Sequence, residues 1–241
     1  LHNHHTRDGR FRPFAELLQG QRFRVQSIDT PFTAGGLAGV DVLVVANALH
    51  ASNVDAWRLP TPSAFTEGEI AAVADWVGRG GALLLIADHF PFPGAAADLA
   101  AAFGFRFANG FALGGALAGI DRFSTTDGTL REHAITRGRD AGERVTTVTT
   151  FTGSAFTAPP AAEPLIVLPP GSLLLLPDVA WQFDEATQAL DAGGSLQGAV
   201  LRHGRGRVAV FAEAAMFTAQ VVDGDPPQRV GFNADGAEGN A

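Results

Sequence analysis

Cysteine, tyrosine and lysine are all absent, so every one of the 17 basic side chains is an arginine. The missing cysteine excludes a thiol nucleophile and a disulfide framework, and the missing lysine excludes Schiff-base chemistry. Charge is also scarce: only 17% of the 241 residues are charged, with a formal net charge of -8. An acidic balance without a basic run offers no footprint for a phosphate backbone, which argues against nucleic acid and for a small-molecule partner. No apolar run is long enough to cross a bilayer, so no membrane span is expected. The glycines form neither G-x-G-x-x-G nor a Walker loop, so no nucleotide cofactor is expected.

What remains is 46% hydrophobic, enough for a sizeable core and one domain over residues 1–241. The bias to Ala, Gly and Arg fits a GC-rich coding sequence, which makes the many alanines weak evidence of function. The opening LHNHHTRDGR and the closing GFNADGAEGNA read as the ends of a processed or truncated chain that lacks a first strand. Zero cysteine suits periplasm and cytoplasm alike, and a periplasmic or secreted location is the expectation.

Elements then alternate. Pro13 to Gln19 reads as a helix stopped by Gly20. RFRVQSI and DVLVVANA read as strands, and Thr66-x-x-Glu69 as a capping box opening a helix with Ile70, Val73, Ala74 and Val77 on one face. ALLLIA is uniformly apolar, as a strand covered on both faces of a parallel sheet would be. The fold expected is α/β, a doubly wound and mostly parallel sheet of flavodoxin-like type. Residues 110–170 read as a peripheral or inserted β-rich region, with strands near Arg144–Thr150 and Pro164–Leu168. QGAVLRH and RVAVFAE read as a hairpin about GRG.

In such a sheet, ligands bind beyond the carboxyl ends of the strands. Polar residues collect there: Asn47 and His50 after DVLVVA, Asp88-His89 after ALLLIA, and Glu213 after RVAVFA. His2, His4 and His5 would follow the missing strand. Asp88, His89, Glu213 and His50 are the candidate catalytic groups, and Asn47 and Arg10 the candidate substrate contacts. His4, His5, His50 and His89 could hold a divalent metal such as zinc with an open position that activates water. Without metal, Asp88 or Glu213 would orient His89 or His50 as a general base. N–H groups after the Asp88-His89 turn would serve as oxyanion donors, less the two that Pro91 and Pro93 remove.

Each of these residues also has a plain structural reading. Asp88 fits a helix N-cap, His50 a satisfied loop histidine, Glu213 a first-turn acid, and HNHH a disordered end. His133 and His203 read as solvated loop residues. The FRPF and HFPFPG aromatics read as core and loop packing.

FTEGEIAAVADWVGRGGALLLIADH resembles the helix, GG, strand and tight-turn segment of the class I glutamine amidotransferase-like superfamily, and GRVAVFAEAAMF resembles its late strand. The resemblance places the chain in a bacterial branch near the trehalose-utilisation-type proteins. In catalytic members a Cys at the elbow is the nucleophile, with His and Glu after the late strand. Here the elbow carries Asp88-His89 and Glu213 has no adjacent His, so the thiol mechanism is excluded. The expectation is a hydrolase whose His/Asp/Glu cluster, with or without a metal, acts on a small ester-like or sugar-derived substrate. The alternative is a non-catalytic ligand-binding or interaction domain of the same fold.

Overall fold

The computed structural model describes residues 2–3, 5–114 and 119–240. In chain order the strands are β1 (His2–Asn3), β2 (Val42–Ala46), β3 (Ala48–Leu49), β4 (Ala82–Ile86), β5 (Arg106–Ala108), β6 (Phe111–Leu113), β7 (Ile120–Ser124) and β8 (Thr147–Phe151). They continue as β9 (Ala155–Thr157), β10 (Glu163–Val167), β11 (Leu173–Leu176), β12 (Gln188–Asp191), β13 (Leu196–His203), β14 (Gly206–Phe211), β15 (Ala219–Val222) and β16 (Gln228–Gly231). The helices are α1 (Arg12–Gly20), α2 (Glu67–Gly78), α3 (Phe92–Ala101) and the single turn α4 (Ala134–Arg137).

The doubly wound, mostly parallel expectation is overturned. About 30% of the chain is strand and 20% helix, arranged as one mixed sheet and several small antiparallel ones. The main sheet runs β2-β4-β14-β13-β9-β5, with β10 also on β13. Only β2, β4 and β14 are parallel to one another; β13, β9, β10 and β5 all join through antiparallel pairings. The physical reason is the return path of the chain. After α3 it re-enters the sheet through short antiparallel strands, and a hairpin, in which His203 pairs with Gly206, reverses direction between β13 and β14. RFRVQSI forms no strand: from Arg22 to Ser27 nearly every side chain is exposed, Phe23 at 51%, and no partner strand lies against it.

Where the parallel strands do form, their sequence explains it. The β4 run is apolar on both faces because both faces are covered, whereas β2, at the sheet edge, leaves Val42 and Val44 exposed on one face. On one face α2 turns Val73 and Val77 onto Leu83 and Leu85 of β4 and Val208 and Val210 of β14. Each such fully buried side chain is worth about 1.5–3 kcal/mol relative to exposure. The helix starts at the expected capping box: Thr66 Oγ1 accepts from the Glu69 N–H at 3.2 Å, and Glu69 accepts from the Thr66 N–H at 3.0 Å. It ends at Gly80-Gly81, where Gly80 has φ +123° and a Cβ on Gly81 would lie 2.4 Å from the Trp76 indole. The opposite face, near the carboxyl ends, is covered by Phe11 and Phe14 of the α1 region against Ala46, Ile86 and Ala214. Among the described residues no helix is long and apolar enough to cross a membrane.

Candidate functional site

The parallel strands β2, β4 and β14 are neighbours, so their carboxyl ends release the chain side by side. Asn47, Asp88 and Glu213 follow those ends directly, and the structure buries all three, at 0%, 6% and 0% exposure.

Asn47 extends the ladder by one bond, its N–H donating to the Ile86 carbonyl at 2.9 Å, and then turns into the left-handed region at φ +49°. Its Oδ1 accepts from the Asp88 N–H at 3.0 Å. Its Nδ2 is buried with no hydrogen-bond partner, the only such side-chain atom among the described residues. A strained backbone and an orphaned amide on one buried residue are features that cluster at functional sites.

Glu213 is a clasp. Its Oε1 accepts from the Phe151 N–H at 3.1 Å and the Ala215 N–H at 3.0 Å, and its Oε2 from the Met216 N–H at 2.8 Å. One carboxyl thus ties the end of β8 to the turn after β14. Gly153 closes over it, since a Cβ there would lie 2.8 Å from the Glu213 Cβ. Burial pushes the Glu213 carboxyl well above the usual carboxylate range, the neighbouring Asp88 adds to this, and the three N–H donors oppose it. Burial also raises Asp88, against the opposing influence of His89 and of the N–H groups of His89 and Ala214. Both carboxyls are buried, at 6% and 0% exposure, and both are held above their usual range.

His89 faces the other way. Its Nδ1 lies 2.8 Å from the Phe90 carbonyl, which can only accept, so Nδ1 carries a proton. Its Nε2 makes no hydrogen bond among the described residues, and the side chain as a whole is buried, at 8% exposure. The ring stacks on Phe111 at 4.8 Å and 13°, meets the edge of Trp181 at 4.7 Å, and has Trp57 and Phe92 each at 5.9 Å. Phe183 joins through Phe111 at 5.2 Å. Two distant loops build this cup: Arg58 bridges Val179, the Leu59 N–H donates to the Asp178 carbonyl at 2.9 Å, and the Ala180 N–H to the Trp57 carbonyl at 2.8 Å. Trp181 and Phe183 stay 53% and 45% exposed at its rim.

Other candidates lie apart. His50 caps its own turn, with Nδ1 2.8 Å from Ser52 Oγ and 3.2 Å from the Ser52 N–H, and among the described residues it shares no hydrogen bond with Asp88, His89 or Glu213. Arg10 donates to Gln220 Oε1 at 2.9 Å and lies 3.5 Å from His5 Nε2, fastening the N-terminal segment to β15. His5 also packs near Phe11, its ring 6.2 Å away. His4 lies outside the described residues. Among the described residues no three His, Asp or Glu side chains group as a metal site. The expected oxyanion donors are already spent: the Phe90 N–H donates to the Gly110 carbonyl, Phe92 to His89, and Gly94 to Asn109 Oδ1.

Sequence reasoning missed Trp57, Phe111, Trp181 and Phe183. The available signal was that two of the chain's three tryptophans stand in loops rich in Pro and Asp.

No protein-family model and no curated protein matches the chain. Among solved structures it shares its fold with the "mmIFT52 N-terminal domain", at a TM-score of 0.61 and 15% identity over 88% of this chain and 83% of that one. A "Cytoplasmic Protein STM1381" of Salmonella typhimurium LT2 gives 0.50 and 16%, over 84% and 75%. A "Putative thua-like protein" of Bacteroides uniformis ATCC 8492 also matches, at 0.47 and 12% over 99% and 84%. Identities this low speak for fold and not for activity.

Proposed function

We propose that the chain is a small-ligand-binding domain whose site is the aromatic cup around His89. The observation that carries this reading is the imidazole itself: held by the Phe90 carbonyl through Nδ1, its Nε2 unbonded among the described residues, it packs against Trp181, which with Phe183 stays exposed at the surface. Rigid aromatic walls with one fixed polar group are the usual composition of a small-molecule site. Beneath it, the Asp88–Glu213 pair and Asn47 hold three strand ends together and stay closed to solvent. Tryptophan emission, titrated with a panel of sugars, amines and carboxylic acids, tests the reading. A saturable change that Trp181→Ala abolishes supports it; no response to any panel member overturns it.

A hydrolase remains as a second reading, favoured by one observation: an oriented imidazole with an accessible Nε2 is the geometry of a general base. Turnover of chromogenic esters that falls by about two orders of magnitude in His89→Gln would establish it. A metal would have to draw on ligands beyond the groupings of the described residues.

A further inference from the structure

Building on the reading of the cup as a binding site, we propose that its ligand is an organic ammonium ion, an N–H-bearing monocation with an apolar or ring-shaped body. Three features of the site converge on this class. First, its exposed wall is aromatic, Trp181 and Phe183 at 53% and 45%, and a cation is drawn to the negative face of an indole or phenyl ring. Second, the polar group inside is an imidazole whose Nδ1 is committed as a donor, so that in its neutral form Nε2 is an acceptor, which calls for a donor on the ligand. Third, the segments that carry the cup's aromatics are acidic. Within four residues of the five cup aromatics the chain carries Asp55, Asp88, Asp178, Asp184 and Glu185 against one arginine, Arg58. Asp88 is buried below, whereas Asp55, Asp178, Asp184 and Glu185 are exposed. Asp178 sits in the rim itself, its carbonyl holding Leu59, and Asp184 folds the Trp181–Phe183 loop by accepting from the Ala186 N–H at 3.0 Å. A carboxylate ligand would meet these acids and a filled Nε2 lone pair, and a neutral ring would gain nothing from the charge.

Benzylammonium, benzyl alcohol and benzoate share one ring and differ in charge, which makes them the probes. Titrated into the whole chain at low ionic strength, benzylammonium should bind about tenfold tighter than benzyl alcohol, benzoate should bind least, and salt should weaken only the cation. The exposed double substitution Asp55→Asn and Glu185→Gln should weaken benzylammonium about twofold or more and leave benzyl alcohol unchanged. Equal binding of benzylammonium and benzyl alcohol overturns the proposal and leaves the ligand-binding reading standing. So does failure of all three probes when another class in the wider panel binds. If nothing in either set binds, both readings fall.

Discussion

Replacing Glu213 by Gln is the perturbation whose outcome follows most closely from the geometry. The glutamine keeps one carbonyl oxygen, which can go on accepting from the Phe151 and Ala215 N–H groups. Its NH2 then faces the Met216 N–H, donor against donor, and that buried donor goes unsatisfied. An unsatisfied buried N–H costs about 1–3 kcal/mol. Against this stands the pH dependence of the wild type. Asp88 and Glu213 are both raised above their unfolded values, chiefly by burial, so the folded state holds protons that the unfolded state gives up. Their contribution is fully present below the unfolded pKa values of about 4 and drains away as pH rises through the folded ones, at up to about 1.4 kcal/mol per pH unit for each group. The variant lacks one of these groups and relieves the other of its neighbour. Its penalty is therefore about 1–3 kcal/mol near pH 5 and shrinks toward pH 8. For a chain of this length each kcal/mol moves Tm by about 2–4 °C. Carboxylates held below their usual range, such as Glu143, lowered to about 2 by Arg139, lose their contribution only in more acid solution, outside this window. Urea unfolding of both proteins by circular dichroism, from pH 5 to 8, reads the difference. A penalty that stays constant or grows with pH would refute the raised pair.

Two further outcomes follow from single residues. Asn47→Ala removes the acceptor of the buried Asp88 N–H and leaves an alanine at φ +49°, so it should cost about 2–4 kcal/mol in urea unfolding, while Asn47→Gly should cost about 1 kcal/mol less. Thr66→Ala should cost about 1 kcal/mol as a lost helix cap, and Glu69→Ala more than that, because Glu69 also accepts from the Phe32 N–H at 3.2 Å.

Local signals in the sequence were dependable where they carried their own physics. The capping box at Thr66 and Glu69, the apolar runs at Val42–Ala46 and Ala82–Ile86, and the hairpin between Leu196 and Phe211 all form where their residues placed them. Asn47, Asp88 and Glu213 meet because parallel neighbours end on one edge, which the runs alone imply. RFRVQSI failed because strand propensity needs a partner: its alternation of Arg, Phe and Val is left in solvent with no neighbouring ladder. The doubly wound fold failed for a related reason, since whether the chain returns parallel or antiparallel after α3 depends on pairings far apart in sequence. The cup was hidden by the same distance: Trp57 and Trp181 stand 124 positions apart (181 − 57) and meet only when Arg58 pairs with Val179. His50 and Arg10 sat in the right order along the chain, yet local caps and the Gln220 amide took them elsewhere.

The most direct test is the indole N–H region of a proton–nitrogen NMR spectrum, where the chain's three tryptophans give three signals that single substitutions assign. Trp57 and Trp181 line the cup, while Trp76 is a residue of α2 and only 8% exposed. Titration with the panel that includes benzylammonium should move the Trp57 and Trp181 signals together, along one binding curve, and leave Trp76 still. Signals that stay fixed across the whole panel, or a ligand that shifts Trp76 alone, would contradict a binding site at His89.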